Sequence, residues 1–194
     1  MRYYEYSPDC TIAGVGSTLT LDHLQGIDHY DEPLSWMWGP IDFHKFKEDA
    51  PYDEDGDFPS FHDDPSLPIC SGRAWDVLSP LIGRRCEALP IIYPGGKRYY
   101  LIHVMETIDC LDVEHSEGVE RFSDGGVMDV ERYCLKTSML AGKHIFKLPR
   151  ETLGRLLVDD VFRDAVEKNG LTGLEFVALP TVAPPADDSQ HRRR

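Results

Sequence analysis

The sequence has no long apolar run. None of the hydrophobic stretches in its 194 residues approaches the length that a membrane-spanning helix needs, which is roughly 20 residues. The first residues, Met-Arg-Tyr-Tyr-Glu-Tyr, also lack the apolar segment of a secretory signal peptide. Both absences argue against a membrane protein and against secretion, so we predict that the chain stays in the cytoplasm where it is made.

Cysteine is scarce, and its spacing matches no metal or disulfide motif. The five cysteines are odd in number, and none belongs to a Cys-x-x-Cys pair. Neither a zinc cage nor a disulfide framework is therefore indicated. Because free cysteine usually behaves as a small hydrophobic residue, we predict buried, reduced thiols at Cys10, Cys70, Cys86, Cys110 and Cys134.

Basic residues are nearly absent from the first third of the chain. Residues 1–70 contain fifteen acidic and three basic residues, a net charge of -12, whereas residues 71–194 contain nineteen acidic and seventeen basic ones. A surface that binds nucleic acid needs clustered Lys and Arg, so this charge argues against nucleic acid as a direct partner. A basic protein partner is favoured instead, because the field of the acidic third would steer its approach.

Motifs of catalysis and cofactor binding are also missing. The sequence has no Gly-x-Ser-x-Gly elbow, Gly14-x-Gly16 is not followed by a third glycine, and residues 95–97 lack the rest of a phosphate loop. No cysteine has neighbours that would lower its pKa. His103 and His144 lack an evident catalytic partner and are predicted to be packed or exposed. We therefore predict no cofactor and no enzymatic activity.

What the chain has instead is an acidic, aromatic segment between residues 28 and 68. Its many aromatic residues argue against simple disorder, which is usually poor in them. Acidic residues can steer a partner and aromatic side chains can anchor it, so we interpret the segment as a docking surface. A solvated acidic loop is the plain alternative. The residues predicted to contact a partner are Trp36, Trp38, Asp53, Glu54, Asp55, Asp57, Phe58, Asp63 and Asp64.

The same carboxylates leave metal binding open as an alternative. Asp53, Asp55 and Asp57 copy the alternate spacing of a calcium loop, but the glycine of that loop is misplaced and its final position holds Asp64 instead of Glu. We therefore predict no metal. A metal-dependent enzyme stays the alternative function, and its candidate site consists of His44, His62, Asp63 and Asp64.

The clearest structural pattern is a strand, a helix and a second strand between residues 156 and 178. The apolar run at residues 156–158 predicts a strand, after which Asp159 or Asp160 offers an acceptor to the free amides of a helix start. Asn169-Gly170 is predicted to end the helix, because glycine adopts the left-handed conformation without strain. The apolar face of this helix is formed by Val161, Phe162, Ala165 and Val166.

The middle of the chain predicts a second helix and a hairpin. Ser71 is expected to cap a helix that breaks near Ser79-Pro80 and closes at Gly83. Residues 89–93 and 98–106 are predicted as two strands, since the Gly-Gly pair between them tolerates the positive φ of a tight turn.

The remaining segments give shorter patterns. Residues 1–6 predict an initial strand, and residues 107–112 continue the second hairpin strand or bulge out of it. Residues 114–129 are polar and contain glycine, which favours a loop, and residues 130–140 predict a further strand. The tail from Thr181 is expected to be mobile.

Together these elements predict an α+β fold with a mixed or antiparallel sheet and a few short helices. A long acidic loop region occupies the N-terminal third, and the strand-helix-strand unit lies at the C-terminal end. We expect a single domain over residues 1–180, whose better-ordered part covers residues 71–180, and a tail at 181–194.

Several short motifs add information through their order along the chain. They are Met1-Arg2-Tyr3-Tyr4, Asp57-Phe58-Pro59, Ser71-x-Arg73-Ala74, Glu87-Ala88-Leu89-Pro90, Tyr99-Tyr100-Leu101-Ile102-His103-Val104, Ile108-Asp109-Cys110-Leu111-Asp112, His144-Ile145-Phe146-Lys147 and Gly170-Leu171-Thr172-Gly173-Leu174-Glu175-Phe176. In this order they resemble immunity protein family 11 of bacterial polymorphic toxin systems. The resemblance runs from Met1 to about Leu179, with His103 standing where the motif is expected to have Asn.

This resemblance implies a cytoplasmic antidote without catalytic residues. Such a protein binds and blocks a toxin that neighbouring bacteria deliver on contact or that the cell makes itself. The resemblance does not name the toxin. Many delivered toxins act on nucleic acid through a basic cleft, so we hypothesise that the acidic third covers such a cleft. A scaffolding module without a toxin partner is the blander alternative.

Overall fold

The structure is a computed structural model that describes residues 1–9, 14–17, 31–45, 55–62, 67–149 and 155–183. Its helices are α1 (Gly72–Ile82) and α2 (Asp160–Lys168). Its strands are β1 (Tyr3–Glu5), β2 (Ser7–Pro8), β3 (Val15–Ser17), β4 (Ile41–Lys45), β5 (Ile69–Ser71), β6 (Cys86–Ile92), β7 (Arg98–Val104), β8 (Glu117–Arg121), β9 (Val127–Cys134), β10 (Ile145–Lys147), β11 (Leu156–Asp159), β12 (Leu174–Glu175) and β13 (Thr181–Val182). These elements confirm the predicted α+β class with mixed and antiparallel pairing.

The largest sheet has five strands in the order β3-β4-β6-β7-β5. Its centre is the predicted hairpin, in which β6 and β7 pair antiparallel from Cys86 opposite Val104 to Ile92 opposite Arg98. The turn between them confirms the prediction, since Gly95 and Gly96 have φ values of 79° and 69°. The second strand ends at Val104, so the expected continuation through residues 107–112 is replaced by isolated bridges at Thr107 and Leu111.

Helix α1 begins where the sequence predicts and runs through the expected break. The Ser71 hydroxyl accepts a hydrogen bond from the Ala74 amide at 3.1 Å, which satisfies one of the free amides of the first turn. The predicted break near Ser79-Pro80 is wrong, because the helix continues through Pro80 to Ile82. Leu78 and Ile82 are buried beyond that position, and burial of this face outweighs the single hydrogen bond that proline cannot donate.

The predicted strand-helix-strand unit is present, with Asp159 as the helix cap. Its carboxylate accepts a hydrogen bond from the Phe162 amide at 3.0 Å. Gly170 has the expected left-handed φ of 58°, and Leu171 folds back so that its amide donates to the Val166 carbonyl at 3.0 Å. The second strand is shorter than predicted, since β12 ends at Glu175 and pairs with β2.

The prediction of a loop over residues 114–129 is wrong. Strands β8 and β9 pair antiparallel in this region and form an exposed hairpin. Polar residues dominate because one face meets solvent, whereas Val127 and Val130 are buried on the other face. The predicted tail also begins with ordered structure, since β13 pairs parallel with β9, and residues 184–194 lie outside the described part.

The core consists of three clusters of apolar side chains. One lies between the helices and the central sheet, another covers the opposite face of that sheet, and the third lies beneath β9, β10 and β11. Four of the cysteines confirm the prediction of buried free thiols, namely Cys70, Cys86, Cys110 and Cys134, whereas Cys10 lies outside the described residues. Neither described helix is long and apolar enough to cross a membrane.

Candidate functional site

Residues 31–38, which we call the tryptophan loop, present large apolar side chains to solvent. Trp36 is 81% exposed and Met37 is 64% exposed. Between them and the sheet, Leu34 inserts into the apolar cluster on the face that β6 shares with β4 and β7. The Met37 amide donates to the Leu34 carbonyl at 3.0 Å, which closes a tight turn around Ser35 and Trp36. The loop therefore has a buried apolar residue below and two exposed ones above.

The carboxylate of Glu87 fixes the middle of the tryptophan loop. Its two oxygens accept hydrogen bonds from consecutive backbone amides, that of Leu34 at 2.6 Å and that of Ser35 at 3.1 Å. Glu87 reaches the loop because side chains alternate along β6, so it projects on the same face as Leu89 and Ile91. Burial opposes ionisation of this carboxyl group, but the hydrogen bonds from Ser35 and Leu34 outweigh it and lower the pKa of Glu87.

Both ends of the tryptophan loop are also fastened. At the C-terminal end, the indole Nε1 of Trp38 donates a hydrogen bond to the Pro90 carbonyl at 2.8 Å, and the ring packs against the core. At the N-terminal end, the Asp31 carboxylate accepts a hydrogen bond from the Thr107 hydroxyl at 2.9 Å and lies 3.3 Å from Lys147 Nζ. The loop is thus attached to the rest of the fold at three points, and Trp36 is exposed although the backbone that carries it is held in place.

The acidic residue Asp55 is neutralised within the fold. Its carboxylate lies 2.8 Å from Lys45 Nζ, contacts Lys97 Nζ, and accepts a hydrogen bond from the Tyr93 hydroxyl at 2.9 Å. Burial alone would raise the pKa of Asp55, but the contacts with the two lysines and the tyrosine lower it below its usual value. Because two cations surround it, Asp55 adds little to an acidic field at the surface.

Asp57 and Phe58 are also used by the fold. Asp57 accepts hydrogen bonds from the Ser71 hydroxyl at 2.6 Å, from Arg73 Nη2 at 2.9 Å and from the Thr172 amide at 3.0 Å. Phe58 is 2% exposed and lies in the core, with its ring edge-on to Tyr6. Asp57 and Phe58 are therefore not part of the proposed contact surface.

The other predicted contact residues divide into two groups. Trp36 is exposed and Trp38 is half-buried, and both belong to the tryptophan loop. The remaining four lie outside the described residues and include both ends of the segment that resembles a calcium loop; they are Asp53, Glu54, Asp63 and Asp64.

The described residues give no support to a metal-dependent enzyme. Within the part of the chain that the structure describes, no group of three or more His, Cys, Asp or Glu side chains is placed to hold a metal ion. His44 and His62 are exposed on separate segments. His103 is 1% exposed and lies 3.5 Å from Glu87, and His144 lies 2.9 Å from the helix-capping Asp159. Both histidines thus contact carboxylates that have structural roles.

Thiol chemistry also lacks an activated group among the described cysteines. Burial raises the pKa of Cys86 to about 12 and that of Cys110 to about 11. A buried thiol with a raised pKa has almost no nucleophilic thiolate at neutral pH.

Sequence reasoning missed several residues of this site. Met37 is exposed beside Trp36, and Asp31 and Glu32 are exposed just before it, but a local pattern marks none of them. Two tryptophans within three residues were the available signal. The contact of Glu87 with the loop had no sequence signal, because Glu87 lies 53 residues from Leu34 in the sequence and meets it only in the fold.

Part of the chain is similar to a known protein family. Residues 93–181 match the model of an immunity protein family (Imm11), which confirms the resemblance for the sequence motifs that lie in this span. The matched span begins just after β6 and ends at the start of β13, so it includes Thr107 and Lys147 but not the tryptophan loop that they fasten. Among curated proteins, none matches the chain.

Proposed function

We propose that the chain binds a cognate protein toxin and neutralises it by covering its working surface, because residues 93–181 match the model of the immunity protein family Imm11. In this proposal the protein acts in the cytoplasm and makes or breaks no covalent bond. The family supplies the general role of immunity to a toxin.

The tryptophan loop is the proposed anchor of the toxin interface. Tryptophan and methionine are enriched at protein interfaces, and a few buried aromatic side chains often supply most of the binding energy. Trp36 and Met37 leave most of their surface in solvent, although the loop below them is attached to the sheet and to Thr107. Because the loop is already held in place, binding would cost little additional ordering.

The proposed partner surface is basic. Glu32 is exposed next to the apolar residues of the loop, and the chain as a whole carries a formal charge of -14. Asp53, Glu54, Asp63 and Asp64 remain proposed as steering charges. Asp55 and Asp57 do not, since Lys45, Lys97 and Arg73 already neutralise them. Complementary charge would speed the encounter, and Trp36 and Met37 would hold the complex.

The test is a binding measurement with the toxin domain encoded beside the gene of this chain, purified in an inactivated form. Wild-type protein is expected to bind it and Trp36→Ala to bind at least 100-fold more weakly, about 2.7 kcal/mol or more, which is a typical loss for a central aromatic residue. Phe122→Ala is the matched control, because this aromatic residue is 55% exposed on the β8–β9 hairpin, which belongs to a different sheet from β6.

Two results would count against the proposal in different ways. If wild-type protein fails to bind the neighbouring toxin and fails to protect cells that express it, the immunity function is wrong. If the protein binds but Trp36→Ala binds equally well, the function stands and the tryptophan loop is not its anchor. A loss of affinity in Phe122→Ala would place the interface on the β8–β9 hairpin instead.

A further inference from the structure

Glu87 connects the central sheet to the tryptophan loop through hydrogen bonds to the backbone. The Leu34 and Ser35 amides point into its carboxylate, and the bond from Leu34 is short at 2.6 Å. These amides begin the turn that carries Trp36, so they have no partner within the turn itself. A carboxylate at this position satisfies two hydrogen-bond donors at once.

The surroundings of Glu87 keep its carboxylate in place. The residue lies on β6 opposite His103 of β7, and Nδ1 of that buried histidine is 3.5 Å from the same oxygen that accepts from Leu34. Strand β6 pairs with β7 along its full length and with β4 at its end, so the backbone that carries Glu87 cannot shift alone. The loop is therefore held by a central strand that is paired on both sides.

We propose that Glu87 is a positioning residue that holds Trp36 and Met37 in the orientation in which they contact the toxin. This inference rests on the proposed function, because it assigns a role within the same interface. Glu87 need not touch the toxin, since its carboxylate faces the backbone of the loop. Without it, two amides lose their acceptor, and the turn exchanges among conformations that have to be ordered again upon binding.

The loop itself gives the first test, without any toxin. Hydrogen exchange of the Leu34 and Ser35 amides is expected to accelerate at least tenfold in Glu87→Ala, whereas amides of Leu89 and Leu101 in the paired strands keep their protection. Glu87→Gln retains one acceptor oxygen and should show an intermediate rate. Glu120→Ala, an exposed glutamate on β8, is the matched control and should leave both amides unchanged. Unaltered exchange at Leu34 and Ser35 in Glu87→Ala would overturn the proposal.

A double-mutant cycle with the inactivated toxin domain gives the second test. Glu87→Ala is expected to weaken binding at least tenfold in the wild-type background but less than twofold when Trp36 is already alanine, because both substitutions then act through the same contact. If Glu87→Ala weakens binding by the same factor with Trp36 and with alanine at position 36, the positioning role is wrong. Partial recovery of affinity in Glu87→Gln would support it, since a merely damaged fold would not follow the number of acceptors.

The two tests separate this inference from the proposed function. If Trp36→Ala binds the toxin as tightly as wild type, the loop is not the anchor, and the positioning role in binding fails with it. If Trp36→Ala loses affinity while Glu87→Ala keeps both affinity and loop protection, the proposed interface stands and the role of Glu87 is wrong. If the strand amides of Glu87→Ala lose protection, the substitution has disturbed the sheet, and Glu87→Gln becomes the test. Unchanged loop exchange and unchanged affinity in Glu87→Gln would then overturn the proposal.

Discussion

Asp57 and Thr172 bind each other through both backbone and side chain, although 115 residues separate them in the sequence. The Asp57 amide donates to the Thr172 carbonyl at 2.9 Å, and the Thr172 amide donates to the Asp57 carboxylate at 3.0 Å. The same carboxylate accepts from the Ser71 hydroxyl, which also caps α1. One acidic side chain thus joins the N-terminal third, the start of α1 and the segment that follows α2.

This junction predicts that Asp57 is needed for stability. Asp57→Asn removes the ion pair with Arg73 and leaves the amide donors of Asn facing other donors, so we expect a loss of about 2 kcal/mol, or about 4–8 °C in Tm for a chain of this size. Urea or thermal unfolding measures this loss of stability. Asp164→Asn on the exposed face of α2 is the control and should change stability by less than about 0.5 kcal/mol. Equal stability of the two variants would contradict the structural role of Asp57.

The lowered pKa of Asp55 predicts a defined pH dependence. A carboxyl group whose pKa is lower in the folded than in the unfolded state stabilises the fold above its unfolded value, 3.8, and this contribution disappears as pH falls through the folded pKa. The free energy of unfolding should therefore fall below about pH 4 in wild-type protein. Asp55→Asn should be less stable at pH 7 and should lose less on acidification. Asp109→Asn, on an exposed residue, is the control, and identical pH profiles for the two variants would refute the prediction.

Charge reversal tests the steering role of the acidic segment. Replacement of Asp53 and Glu54 by Lys should slow toxin association about tenfold at low salt and flatten its dependence on ionic strength, with a smaller change in dissociation. Asp55 and Asp57 are left unchanged, because their reversal would disrupt contacts within the fold. Reversal of Glu120 and Glu131 on the β8–β9 hairpin is the control. Association rates that do not respond to the first pair would remove the steering hypothesis.

Metal addition tests the alternative of a metal-dependent enzyme. We expect Ca²⁺ or Zn²⁺ to leave Tm unchanged, since a ligand stabilises a fold only by binding it and Asp55 is already occupied by two lysines. The measurement is a thermal shift with and without a chelator. A rise in Tm that saturates with metal and disappears in a variant with Asp63 and Asp64 replaced by Asn would show a site in that segment.

The sequence predicted elements whose signals are local. The Ser71 cap, the Gly95-Gly96 turn and the Gly170 helix end each depend on a few neighbouring residues, and all three are present. The β8–β9 hairpin was missed, because its alternation is interrupted where the register shifts between Glu120 and Arg121. Helix α1 passes Pro80 because tertiary burial of Ile82 decides the outcome there.

The candidate site was predicted only in part, because some of its contacts join segments that are far apart in the sequence. Trp36 and Trp38 are visible in the sequence, and the structure places them in one loop, the first exposed and the second anchored on Pro90. The acidic cluster looked uniform in the sequence, but Asp55 and Asp57 meet cations that come from other segments. A sequence count of charges cannot show which of them are paired.

The sequence by itself determined the α+β class, the caps and turns of its clearest elements, the excess of negative charge and the resemblance to an immunity family. These properties depend on composition and on residues a few positions apart. The tertiary structure decided which carboxylates are neutralised, which aromatic side chains stay in solvent and that Glu87 holds the loop of Trp36. Those outcomes depend on contacts between segments far apart in the chain, which form only when the strands and helices pack together.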